Sequence, residues 1–385
     1  MEKRKKLNIV CLGFDWGRIG KDNYKISKSK LDRDGLDTNF NHFFVFYAGN
    51  KNSREQVVGD SIFKVWHINI GIKLRFFYDL AFMFLLPISL IVERFKPDLF
   101  YLYDFNHIFA AYLPAKLTGA KVYFRLINLP TELSLTKGFR GKFLYWYYRC
   151  LEKITYKAID KFVVINHTTQ KYLNNIGVEN SRISFDIPDT ISIDKSFIEK
   201  ADKNLVRKDF NILPDKKILI SIGSLIKEKG FEDLINSLAE TKRNDIMLVI
   251  CGQGKDEEKL KKICRDLNLK NVIFAGLVGR DKIWSYLAGS DLFILFSKSE
   301  SLGMVFWEAM YSGLPVIGTP IGGVAETIGY DGERGFYWKG NVEDLNKKID
   351  FYLAESRGKE VILERAKQYV VESLKQKKTI NQIYE

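Results

Sequence analysis

The chain has 385 residues, 46% of them hydrophobic and 28% charged, with a net charge of +13. That composition excludes a disordered, collagenous or membrane-spanning protein and provides apolar material for two globular cores. The charge is uneven: residues 1–190 carry 29 Lys and Arg against 18 Asp and Glu, whereas residues 191–385 carry 31 against 29. An anionic partner for the first half, whether a phosphate-bearing molecule, a membrane surface or nucleic acid, fits that asymmetry.

In chain order, the basic start Met1–Lys6 runs into a short apolar segment without a cleavage site. No signal peptide is expected, and a cytoplasmic location follows. Strand-like runs are predicted at Leu7–Phe14, Phe43–Tyr47, Phe63–His67, Leu99–Tyr103, Val122–Leu126 and Phe162–Ile165. The apolar stretch Phe76–Val92 contains Asp79 and Pro87. Its uninterrupted part is well short of the ~20 residues that span a bilayer, so it reads as a buried or surface-lying helix. In the second half, strands are predicted at Lys217–Gly223, Met247–Cys251, Val272–Gly276, Leu292–Phe296 and Pro315–Ile317. Short continuous apolar runs between helical segments indicate parallel strands buried on both faces. The pattern occurs twice, which implies two doubly wound α/β domains with a cleft for ligand.

The predicted boundaries are residues 1–190 for the first domain, 191–215 for a polar linker and 216–365 for the second domain. Residues 366–385 read as a final helix returning to the first. Cys11, Cys150, Cys251 and Cys264 form neither a C-x-x-C pair nor a His-flanked cluster. A reducing compartment without structural zinc is expected.

The most informative stretch is Ser297–Met310, which follows the strand Leu292–Phe296. It holds two carboxylates, Glu300 and Glu308, around Ser301, Gly303, Met304 and Val305. A loop leading into a helix N-terminus presents backbone N–H groups that favour a diphosphate. Glycine there lets the phosphate approach. Glu308 is placed to accept hydrogen bonds from ribose hydroxyls, and Glu300 to face the sugar. Alone, E-x7-E is a weak pattern whose commoner meaning is two solvated glutamates. Three further turns follow strands: Gly223-Ser224 leading to Lys229, Gly252-Gln253-Gly254, and Gly322-Gly323-Val324-Ala325-Glu326. In an open parallel sheet such turns gather at the carboxyl edge.

The ordered blocks G-x-L-x-x-x-K-G (Gly223–Gly230), C-G-x-G (Cys251–Gly254), V-x-F-x-G (Val272–Gly276), S-x-x-E-x-x-G-x-x-x-x-E-A-M-x-x-G-x-P-V (Ser297–Val316) and G-G-x-x-E (Gly322–Glu326) together resemble glycosyltransferase family four. The first half resembles it more loosely, through Lys96-Pro97-Asp98-Leu99 and Ala158–Val164. The resemblance implies the GT-B fold and a metal-independent, retaining sugar transfer from a nucleoside diphosphate, with no cofactor. It places Glu308 at the ribose, the Gly303–Val305 backbone at the diphosphate, Lys229 at the phosphates and Glu300 near the donor sugar. Gly223, Ser224, Gly252, Gly254 and Ser301 complete the expected donor site. Two departures stand out. Ser224 occupies a position where the family usually has Arg, and Asn128 stands where it often has His.

Other signals carry less. Asp32-Arg33-Asp34 matches a metal-binding D-x-D but lies in a polar stretch rather than after a strand, so a solvated loop is the better reading. His42, His67, His107 and His167 are too dispersed for a metal site. In the loop Gly13–Gly20, Asp15, Gly17 and Arg18 are acceptor-side candidates beside the reading of an ordinary β–α loop, and Asn128 joins them. Lys137–Lys161 interleaves seven Lys and Arg with aromatics. It suits either peripheral contact with an anionic membrane or a helix packed on the sheet, and nucleic acid ranks low without a recognition fold. The expected function is glycosyl transfer from a nucleotide-sugar to a saccharide or lipid-linked acceptor in bacterial surface polysaccharide or glycolipid synthesis. The alternatives are a GT-B protein that binds nucleotide without turnover and a UDP-sugar 2-epimerase-like enzyme.

Overall fold

The computed structural model describes residues 7–12, 40–47, 54–58 and 61–67, then, with interruptions, 86–126 and 149–185, and 193–375 except 194. The chain divides into two compact units between Thr190 and Ile191.

The first unit holds an eight-stranded sheet: β1 (Leu7–Leu12), β2 (Phe40–Tyr47), β3 (Arg54–Val58), β4 (Ser61–His67), β5 (Leu99–Leu102), β6 (Lys121–Leu126), β7 (Lys161–Val164) and β8 (Ile183–Phe185). Their order is β3-β4-β2-β1-β5-β6-β7-β8. Ile9 to Leu12 and Leu99 to Leu102 are fully buried, because these central strands are covered on both faces. Helix α1 (His107–Thr118) and α2 (His167–Asn175) follow β5 and β7. Leu86 and Leu90 join Ile108, Ala111 and Ala115 in the core, while Ile88 and Ile91 stay exposed. The four described residues of that stretch are helical, and the rest of the buried or surface-lying helix expected there lies outside the described residues. The expectation of all-parallel strands needs one correction. β3 pairs antiparallel with β4, and Val58 stands opposite Ser61. Two residues, Gly59 and Asp60, separate the paired strands in sequence. β3, β8 and the later β14 were not anticipated, being short or too polar to form apolar runs.

The second unit holds six parallel strands: β9 (Lys217–Ile222), β10 (Ile246–Cys251), β11 (Val272–Gly276), β12 (Leu292–Leu295), β13 (Val316–Gly318) and β14 (Phe336–Tyr337). Their order is β11-β10-β9-β12-β13-β14. The 191–215 stretch differs from a linker. It carries α3 (Lys195–Glu199) and α4 (Leu205–Phe210). The Phe210 ring meets Tyr286 edge-on with centroids 5.8 Å apart, and the Tyr286 hydroxyl donates to Asp209 at 2.6 Å. These few apolar anchors pin the polar stretch to the second unit. The remaining helices are α5 (Phe231–Thr241), α6 (Glu257–Asp266), α7 (Arg280–Ala288), α8 (Met304–Tyr311), α9 (Gly322–Ile328), α10 (Val342–Leu353) and α11 (Arg357–Lys375). The last begins before the expected residue 366 and packs on α8, with Tyr369 edge-on to buried Trp307 at 5.5 Å. The return of the chain beyond Lys375 lies outside the described residues.

One device recurs in both sheets. Asp98, Asp160 and Asp291 each immediately precede a parallel strand. Their N–H groups donate to the carbonyls of Asn8, Val122 and Ile218, each at 2.8 Å. Their carboxylates accept from the N–H groups of the same three residues, at 3.0, 2.7 and 2.8 Å. Each aspartate therefore brackets the start of the neighbouring strand and sets its register. This is what the K-P-D-L and A-I-D-K segments of the first half do physically. Among the described residues, no helix is long and apolar enough to cross a membrane.

Candidate active site

In the second sheet the order reverses at β9, whose neighbours are β10 and β12. The space outside the carboxyl ends of strands at such a switch point is where open α/β sheets take ligands. Two loops meet there. The first leaves β9 through Gly223 and Ser224 and makes a single tight turn at Lys227–Lys229 before α5. The second leaves β12 through Ser297 and reaches α8 at Gly303. They are joined by the Lys298 N–H donating to the Glu228 carbonyl at 2.8 Å.

The Lys229 ammonium forms an ion pair with Glu300 Oε2, with both side chains mostly shielded. The Ser297 hydroxyl lies 3.5 Å from the same oxygen. Gly303 takes a left-handed conformation, φ 71°, and starts α8 without a side-chain cap. Met304 and Val305 are the first two residues of that helix, so its first turn belongs to the segment expected at the diphosphate. The helix is held rigidly. Phe306 packs edge-on against Phe293 at 5.0 Å, and the buried Trp307 indole N–H donates to Thr327 Oγ1 at 2.8 Å.

Glu308 is the fifth residue of α8, and only 4% of its side chain is exposed. Arg280 Nη1 donates to Glu308 Oε1 at 2.6 Å from a guanidinium that is half exposed. Burial pushes the Glu308 carboxyl above the usual carboxylate range, and Arg280 pulls it part of the way back. Each carboxylate of the E-x7-E pair is thus matched by one cation from a different loop.

The glycines divide by role. A Cβ on Gly252 would lie 1.9 Å from the Gly223 carbonyl oxygen, and one on Gly254 would lie 2.2 Å from that of Leu225. The Leu225 N–H donates to Gln253 O at 3.0 Å in the same contact. The G-x-G segment therefore exists to press the β10–α6 loop, backbone on backbone, against the β9–α5 loop. Gly322 and Gly323 similarly abut the carbonyls of Glu300 and Ser301, where Cβ atoms would lie at 2.2 and 2.1 Å. They support the loop that carries Glu300. Gly223 itself has ordinary space around a Cβ, with nearest atoms at 3.6 Å. Ser224 is exposed, and so is Lys227.

The structure brings Lys229, Glu300, Ser301, Gly303, Met304, Val305 and Glu308 to one sheet edge, with Gly223, Ser224, Gly252 and Gly254 in the turns beside them. Asp15, Gly17, Arg18 and Asn128 lie outside the described residues, as does Asp32-Arg33-Asp34. In the described part of Lys137–Lys161, Glu152, Thr155, Tyr156 and Ile159 are buried, while Lys157 and Asp160 are exposed. Tyr156 is buried against Phe162 at 4.9 Å, and Arg149 lies 3.5 Å from buried Glu152. Tyr172 also donates to Glu152, at 2.6 Å. Buried Cys11, Cys251 and Cys264 are free thiols. Among the described residues, no three His, Cys, Asp or Glu side chains are grouped to hold a metal ion.

Sequence reasoning missed Arg280. Its signal was present: Val272–Gly276 was recognised, and Arg280 opens the helix of that fifth strand-to-helix turn.

The sequence pattern described as "Glycosyl transferases group 1" matches residues 202–369. The chain is 31% identical over 195 residues to the N-acetyl-alpha-D-glucosaminyl L-malate synthase of Bacillus anthracis, covering 49% of this chain and 50% of that protein. It is 26% identical over 253 residues to an N,N'-diacetylbacillosaminyl-diphospho-undecaprenol alpha-1,3-N-acetylgalactosaminyltransferase of Campylobacter jejuni, covering 64% and 65%. The chain spans about half the length of the first curated relatives it matches. In fold, it resembles the sucrose-phosphate synthase of Thermosynechococcus elongatus with a TM-score of 0.71 at 14% identity, over 95% of this chain and 94% of that one. The chain has two mostly parallel sheets of the GT-B type, and its residues 202–369, which hold the segments at the switch point of the second sheet, match the glycosyl transferases group 1 pattern.

Proposed function

We propose that the protein is a retaining glycosyltransferase that moves a hexose-type sugar from a nucleoside-diphosphate-sugar to a saccharide or lipid-linked acceptor. The observation that carries this reading is the pair of cation-matched carboxylates, Lys229–Glu300 and Arg280–Glu308, flanking the N-terminus of α8 at the sheet's switch point. In this reading Glu308 accepts the ribose hydroxyls. The α8 N-terminus and Lys229 receive the diphosphate, and Glu300 faces the donor sugar.

The anomeric carbon–oxygen bond to the diphosphate breaks while negative charge grows on the leaving oxygen. Prepositioned N–H dipoles and the Lys229 ammonium stabilise that charge most in the transition state. The acceptor hydroxyl bonds to the anomeric carbon from the same face, and its proton passes to the leaving phosphate oxygen. No separate side-chain base and no metal is then required. The names of the Bacillus and Campylobacter relatives support a role in making a glycoside or a lipid-linked saccharide. A cytoplasmic enzyme with peripheral contact at an anionic membrane, serving surface polysaccharide or glycolipid synthesis, fits the basic first half.

The test is thermal stability with UDP, GDP, ADP and their sugar conjugates, on the wild type and Glu308→Ala. A nucleotide present at ~100 times its dissociation constant adds ~2.7 kcal/mol. The expected result is a shift with one base that Glu308→Ala loses. Slow donor hydrolysis that persists in excess EDTA and releases the sugar with retained anomeric configuration completes the case. No shift with any nucleotide refutes the reading.

A further inference from the structure

The mechanism just given uses Glu308 but leaves Arg280 without a task. Glu308 sits nine-tenths buried on α8, and a carboxylate in such a place is costly unless it is matched. Its partner does not come from the elements packed directly around α8. Those elements carry Glu326 on α9 and several Lys, Arg and Glu residues on α11, and none of these is among the charges that shift the Glu308 carboxyl. Lys229 is engaged with Glu300. The charged group that reaches Glu308 is Arg280, the first residue of α7, whose Nη1 lies 2.6 Å from Oε1. That bond takes one carboxylate oxygen and fixes the plane of the group.

We propose that Arg280 is a positioning residue for donor recognition: it holds Glu308 ionised and oriented, so that Oε2 is presented to the ribose hydroxyls. This rests on the assignment of Glu308 to the ribose. A ribose diol donates two hydrogen bonds, and an ionised carboxylate accepts them far better than a neutral carboxylic acid. Burial alone raises the Glu308 carboxyl, and Arg280 opposes that rise. Without the guanidinium, the buried group takes up a proton at a higher pH. At any given pH the nucleotide then meets a larger share of the neutral acid, with no guanidinium to fix its orientation.

The experiment is nucleotide binding by calorimetry from pH 5 to 9, using UDP, GDP and ADP. The proteins are the wild type, Arg280→Gln, Arg280→Lys, Glu308→Gln and the Arg280→Gln/Glu308→Gln double variant. Arg280 is half exposed at a helix start, so its substitution removes little packing, and the Glu308→Gln background removes the buried carboxylate it would leave unmatched. Arg280→Gln is expected to weaken binding about tenfold at pH 7, the loss of one charge-assisted hydrogen bond's worth of order. Its affinity should fall on the acid side at a higher pH than in the wild type, because nucleotide binds the ionised form. Arg280→Lys should restore most of the affinity. In the Glu308→Gln background only the acid limb due to the nucleotide's own phosphate remains, and adding Arg280→Gln costs nothing more. An Arg280→Gln profile that superimposes on the wild type overturns the inference while leaving the donor site standing. A full loss from Arg280→Gln in the Glu308→Gln background also overturns it, since Arg280 would then act on the ligand directly. A wild type that binds none of the three nucleotides overturns both the inference and the function on which it rests.

Discussion

Gly252→Ala separates two meanings of the Cys251–Gly254 segment. If Gly252 serves the phosphates, an alanine there weakens nucleotide binding and leaves the fold alone. If it serves loop packing, the fold itself suffers. The geometry favours packing. The added Cβ would stand 1.9 Å from the Gly223 carbonyl oxygen and 2.9 Å from its carbon, both backbone atoms that no rotamer change can move. Relief requires the two loops to part by more than about 1 Å in a close-packed region. The φ of +150° adds a second cost, since it is a conformation that only glycine adopts readily. Overpacking of about 1–3 kcal/mol and backbone strain of about 1–3 kcal/mol together give roughly 4 kcal/mol. For a unit of this size that is a fall in melting temperature of about 10 °C. Differential scanning calorimetry with urea denaturation measures it, and Gly223→Ala, whose Cβ meets nothing closer than 3.6 Å, is the control. A Gly252→Ala protein within about 0.5 kcal/mol of the wild type would refute the reasoning, and weakened nucleotide binding with intact stability would return the residue to the phosphates.

Two further outcomes follow from named contacts. Asp291→Ala removes the carboxylate that accepts from the Ile218 N–H at 2.8 Å, and the start of β9 loses its bracket. Urea unfolding should show a loss of about 1–3 kcal/mol, with Asp291→Asn recovering part of it through its amide oxygen. Equal losses in the two variants would show that the charge, paired with Lys217 at 3.4 Å, matters and the bracket does not. Ser224→Arg supplies the cation that the family usually carries in an exposed part of the β9–α5 loop. It should tighten nucleotide binding about three- to tenfold, by roughly 1 kcal/mol, with a steeper salt dependence. Unchanged affinity would mean that the phosphates lie out of reach of that position.

The parts of this protein that were legible in its sequence are those written into contiguous residues. The β9, β10, β12 and β13 strands are largely apolar runs followed by glycine-containing turns, so both the strand and its loop could be located within a residue or two. The E-x7-E spacing likewise fixed one carboxylate before α8 and one inside it. What spacing cannot supply is the pairing. Lys229 and Glu300 are 71 residues apart, and Arg280 and Glu308 are 28 apart. The sheet order makes the first pair intelligible, because β9 lies next to β12 and their turns open at the same edge. The second pair is less direct, since β11 is the edge strand and stands about 14 Å from β12 at three strand spacings. α7 is the crossover that leads from that edge back to β12, and its first residue is a long arginine able to reach over the sheet's end. The stretch 191–215 and the β3–β4 hairpin were hidden for a related reason. A polar segment pinned by Phe210 and Asp209, or a strand with the sequence Arg-Glu-Gln-Val-Val, has little apolar signal of its own and acquires its structure from the neighbour it meets. The carboxylates and Lys229 of the candidate site are thus read from sequence, while Arg280 and the pairing of each cation with its carboxylate are read from topology. A search for such sites gains from asking which strand-to-helix turn a sheet order would bring to each buried acid.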